Sequence, residues 1–127
     1  MTSLSGYINT DLVIESSNDL SQFVKRLERG GLFCLGFREV CGQWRATFES
    51  NADEPSPESS IAILVAVIES LEPEFRMDWD KCTEKCFDVG FARPETSFSQ
   101  SWTLSNQVIE GIVSLGGGVK LTIYRDE

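Results

Sequence analysis

The run SPESSIAILVAVIESL, residues 56–71, decides the fold. Its apolar centre, Ile61 to Ile68, is rich in β-branched side chains and on its own would suit a buried strand. The residues in front of it argue otherwise. Ser56 offers an N-cap, Pro57 occupies the first helical position and Glu58 follows in the first turn, the order of a helix start. The run also continues to Leu71, longer than an ordinary strand. It therefore reads as a helix that turns Ile61, Leu64, Val65, Ile68 and Leu71 towards the core. Pro73 is expected to stop it.

With a helix at this point, the flanking segments fall into an alternating order. Ile8, Thr10, Leu12 and Ile14 have the period of a half-buried strand. Asp19 with Gln22 has the spacing of a capping box, and Leu20, Phe23, Val24 and Leu27 mark one face of a helix. Gly30-Gly31 ends it. Leu32 to Val40 reads as a strand buried on both sides at its start. The Cys41-Gly42 turn links it to a second strand in which Trp44, Ala46 and Phe48 alternate with polar residues.

Beyond the central helix, Phe75, Met77 and Trp79 alternate with Glu74, Arg76, Asp78 and Asp80 and predict a fourth strand. Phe87, Val89 and Phe91 predict a fifth. Arg93 to Ser101 reads as a polar loop, with the aromatic residues Phe98 and Trp102 at its end. Val108, Ile109, Ile112, Val113 and Leu115 predict a third helix starting near Thr103 or Ser105, ended by Gly116-Gly117-Gly118. Val119, Leu121 and Ile123 predict a last strand. The expected fold is α+β, a single sheet with helices on one face in the order β-α-β-β-α-β-β-α-β. It is partly ferredoxin-like and forms one domain over residues 1–127.

Twenty acidic and eleven basic side chains give a net charge of −9, and the 127 residues include no histidine. Without imidazole, the commonest general base and metal ligand is missing. The charge disfavours nucleic acid and anionic membranes and favours a basic protein partner. Residues 49–80 hold nine acids against the single base Arg76, so this segment alone carries −8. The start of the chain, Met1 to Tyr7, has no secretory-signal pattern. The longest apolar run is far short of the roughly 20 residues that span a bilayer. A cytoplasmic location is the expectation.

Cys34, Cys41, Cys82 and Cys86 lack the spacing of a zinc site and read as free thiols. Asp78 and Asp80, with Glu84 and Asp88, are the densest carboxylate group, but as a charged strand edge they need no ion. The three glycines at 116–118 leave a helix rather than enter one, the wrong polarity for a phosphate loop. No Ser-x-x-Lys or Gly-x-Ser-x-Gly motif occurs. No cofactor, no metal and no catalytic residue is expected.

In the C-terminal half, Trp79-Asp80-x-Cys82, Phe87-Asp88-x-Gly90-Phe91, Leu115-Gly116 and Leu121-Thr122-Ile123-Tyr124 form an ordered series. This series, within residues 75–124, resembles small bacterial α+β proteins of unknown function, some of them similar to immunity proteins of toxin–immunity systems. The resemblance implies a bacterial, cytoplasmic, non-enzymatic protein. Together with the charge it leads to the expectation of an acidic protein-binding domain that covers the basic active site of a toxin such as a nuclease. The expected contact residues are Asp53, Glu54, Glu58, Glu72, Glu74, Asp78, Asp80 and Trp102. Two other classes stay open: a small-molecule or regulatory ferredoxin-like domain, with a pocket lined by Trp79, Phe87 and Phe91, and a carboxylate enzyme using a divalent ion. A homodimer is compatible with each.

Overall fold

The computed structural model describes residues 6–51, 53–92 and 100–124. Elements follow in the order β1 (Tyr7–Ser16), α1 (Ser21–Arg29), β2 (Leu32–Val40), β3 (Gln43–Ser50), α2 (Pro57–Glu69), α3 (Pro73–Asp80), β4 (Glu84–Ala92), α4 (Asn106–Ser114) and β5 (Gly118–Tyr124). The chain is α+β; its described residues form five strands in one mixed sheet of order β2-β3-β1-β4-β5. The pairs β1–β3, β1–β4 and β2–β3 are antiparallel, which makes the first four strands the ferredoxin-like split β-α-β arrangement. The last helix and strand add to it, since β5 pairs parallel to β4 through the α4 crossover.

The decisive run is a helix, α2. The Ser56 hydroxyl accepts from the Ser59 N–H at 3.2 Å, Pro57 stands at the start and Glu58 lies in the first turn. Ile61, Leu64, Val65, Ile68 and Leu71 are all buried. They pack against a sheet face built from alternate residues of the three inner strands: Leu12 and Ile14, Ala46 and Phe48, Phe87 and Val89. α1 adds Phe23, Val24 and Leu27 to the same core, and α4 adds Val108 and Ile112.

Three sequence expectations are corrected. Residues 75–79 are not a strand but the body of α3. Pro73 does not merely end one helix; at the first position of the next it fixes φ where no N–H is needed. Phe75 and Trp79, four apart, then share a face turned inward, while Met77 is exposed. An i, i+2, i+4 triplet fits a strand and a helix equally at its two ends; only the middle residue tells them apart.

Secondly, β2 is an edge strand with Leu32 alone fully buried, and Phe33, Leu35 and Phe37 are exposed. Thirdly, α1 is not opened by a capping box. Leu20 is its N-cap residue and gives no side-chain cap, while Asp19 accepts from the N–H and hydroxyl of Ser21. Those two bonds hold the Asp19 carboxyl below its ordinary range.

Among the described residues no helix is long and apolar enough to cross a membrane. Residues 93–99 of the expected Arg93–Ser101 loop, Phe98 among them, and the chain start at 1–5 lie outside the described residues.

Candidate functional site

The residues on the open face of the sheet alternate with the core residues. Asn9, Asp11 and Glu15 of β1 stand beside Arg45 and Glu49 of β3 on one side and Glu84, Cys86 and Asp88 of β4 on the other. Towards the Ser16 end of β1 the charges are matched, and Arg45 forms an ion pair with Glu15. Towards the Tyr7 end they are not. Asp11 faces Asp88 across the strand pair, and Glu49 is close enough to act on it electrostatically. The Asn9 amide donates to Asp11 Oδ1 at 3.1 Å and to Glu49 Oε2 at 3.3 Å, and Thr122 donates its hydroxyl to Asp88 at 2.7 Å. Partial burial first, then the Glu49 and Asp88 charges, push the Asp11 carboxyl up to about 6.

Asn9 and Glu49 of this corner also line a cavity of about 280 Å³ where β1 begins, together with Thr10, Asp53, Glu54 and Ser60 among others. Tyr7 forms one wall, its hydroxyl 2.7 Å from both Thr10 Oγ1 and Ser60 Oγ. Trp102 packs on the Tyr7 ring at 5.8 Å and on Phe91 at 6.2 Å and keeps part of its own surface in solvent. Glu58, in the first turn of α2, accepts from the Ser105 N–H at 2.8 Å and so fastens the segment carrying Trp102 next to the cavity.

Of the eight expected contact residues, Asp53, Glu54, Glu58 and Trp102 therefore gather at one end of the molecule. The other four do not join them. α2 separates Glu72 and Glu74 from this end by 13 residues, about 20 Å of helix. Glu72 forms an ion pair with Arg26 at 2.7 Å, and that bond to the guanidinium holds its carboxyl below the usual range. Asp78 and Asp80 close α3 at the far end of the sheet, where the Thr83 N–H donates to the Glu15 carbonyl. Asp80 lies 3.6 Å from Arg76.

Sequence reasoning missed Asp11 and Glu49 as site residues, and it set Asp88 with Asp78 and Asp80 instead of with Asp11. The available signal was weak: acids at the outward-facing positions of three strands whose order in the sheet was open.

The other expected chemistry finds less support. Trp79 and Phe87 are sealed in the core with no exposed surface, and the Trp79 indole donates to the Leu115 carbonyl at 2.8 Å. Among the described residues, no group of three or more Cys, Asp or Glu is placed to hold a metal ion. All four cysteines are free thiols. Burial pushes the Cys82 thiol up to about 11 and raises Cys34 and Cys86 as well, the opposite of what a nucleophilic thiolate requires. No protein-family model, curated protein or solved structure matches the chain.

Proposed function

We propose that this chain is an acidic binding domain that neutralises a basic protein. In this reading it is a bacterial, cytoplasmic immunity or inhibitor protein that occludes the active site of a toxin such as a nuclease. One observation carries the reading. Glu49, Asp53 and Glu54 line a single cavity, Glu49 acts electrostatically on Asp11, and the partly exposed Trp102 packs on Tyr7 of the cavity wall.

A lysine or arginine side chain of the partner enters the cavity beside Asp53 and Glu54 and offsets the Glu49 charge that acts on Asp11. Trp102 supplies an aromatic anchor at the rim. The net charge of −9 steers the encounter, so association is fast and slows as salt rises.

The test is affinity capture from the source cells with the full chain at low salt, run in parallel with an Asp53→Lys/Glu54→Lys variant. The wild type retains a basic protein that high salt releases, and the variant loses it by at least tenfold. Retention of the same protein by both forms, or recovery of no basic protein, overturns the reading.

A second reading rests on the cavity volume alone, which is large enough for a small organic cation. A rise in melting temperature with spermidine that the same variant abolishes would favour it.

A further inference from the structure

We propose that the β5 edge of the sheet is a self-association surface, on which two copies of this chain pair antiparallel through Gly118–Tyr124. Among the described residues β5 is hydrogen-bonded on one side only, so its other side presents backbone groups that no described strand pairs. Its register places Val119, Leu121 and Ile123 next to Phe87, Val89 and Phe91, hence on the helix-covered face of the sheet. There Leu121 and Ile123 are 68% and 70% exposed.

α4 extends this apolar surface. A Cβ on Gly111 would meet Val65 of α2 at 3.0 Å, so that side of α4 is against α2. Ile109 and Val113, two positions before and after Gly111 and about 200° round the helix from it, face the other way, towards the free edge. Val113 is 69% exposed.

Charge identifies the occupant as a second copy. Two molecules of net charge −9 repel over most of their surfaces. Residues 100–124 contain only Glu110 and Lys120 as charged side chains, so this region is neutral and lets like molecules meet. The strand is also self-complementary. A twofold axis at Leu121 sets Val119 opposite the second copy's Ile123 and Lys120 opposite its Thr122, so no like charges face each other. The sheet would continue across ten strands, twice the five of one chain, with the α4 helices meeting above the join.

The opposite edge, β2, also exposes apolar side chains, but it is irregular and charged. A register shift between Cys34 and Gly36 breaks its ladder, and Arg38 and Glu39 lie beyond the break.

Sedimentation equilibrium of the full chain under reducing conditions, at low and high salt, tests the proposal. The expected result is a dimer that tightens as salt rises, the reverse of the salt effect on a basic partner; the two proposals can therefore fail separately. Leu121→Arg and Val113→Glu each weaken it by on the order of 100-fold, while Phe33→Arg leaves it unchanged. Circular dichroism confirms that the variants are folded. A wild-type chain that stays monomeric at all concentrations overturns the proposal, including one whose β5 edge pairs only with a different protein. So does a dimer indifferent to Leu121→Arg, or one abolished by Phe33→Arg.

Discussion

On one side of the sheet Leu12, Ile14, Ala46, Phe48, Phe87 and Val89 interlock beneath the helices. On the other, one residue away along β1, β3 and β4, Asp11, Glu49 and Asp88 stand close enough to repel. The same backbone carries both arrangements, because successive side chains of a strand point to opposite faces. The covered side supplies the stability, and the open side holds three like charges together at a cost that the covered side offsets. Sites that bind are commonly built this way, with local strain sustained by the rest of the fold.

The largest test lies on the covered face. Phe48→Ala removes a fully buried ring and is expected to lose about 3–5 kcal/mol of stability in urea denaturation. A loss below about 1 kcal/mol would mean that this face is not the source of stability.

Asp11→Asn tests the open face, with the opposite sign. The folded chain holds the Asp11 proton up to about pH 6, whereas the unfolded chain releases it near 3.8. The penalty is therefore absent below about pH 4, grows as pH rises through this window and is complete above about pH 6. Discounted for partial solvent exposure, removing it stabilises the protein by about 1 kcal/mol at neutral pH and by nothing in acid. If the variant is less stable at neutral pH, the carboxylates are structural rather than strained, and the contrast between the faces fails.

Ser56→Ala sharpens the contrast from the helix side. Losing the bond to the Ser59 N–H is expected to cost about 1 kcal/mol, read from the denaturation midpoint, because α2 covers the sheet centre.

How much of this was legible depends on the range over which each signal acts. α2, α4 and the β2–β3 hairpin are announced by neighbours: Ser56-Pro57 before one helix, Ser105 before another, Cys41-Gly42 between two strands. α3 was misread because Phe75, Met77 and Trp79 satisfy both periods, and only the exposure of Met77 separates them. The acidic corner was legible in part. Asp53, Glu54 and Trp102 could be picked out as exposed acids and an aromatic residue in polar segments, but nothing local says that Asp11, Glu49 and Asp88 become neighbours. Their meeting depends on β1 lying between β3 and β4, and the spread of acids through residues 49–80 pointed instead to the whole segment.

The smallest expected effect is at the hairpin turn, remote from both faces. Cys41 has φ 54° and Gly42 φ 79°, so both central residues are left-handed, as a two-residue hairpin prefers. Cysteine has no advantage there. Cys41→Asn is expected to raise stability by about 0.5 kcal/mol in thermal unfolding, without altering the pH profile that Asp11 sets.

Helix α4 has nine residues, too few to persist by itself in water. Its start is held by the Glu58 carboxylate on Ser105 and its finish by the Trp79 indole on Leu115, two anchors from different parts of the chain. Deuterium uptake by the amides of this one helix thus reports on both anchorages together. A ligand that drew Glu58 away would be detected as fraying of the first turn while the last stayed protected.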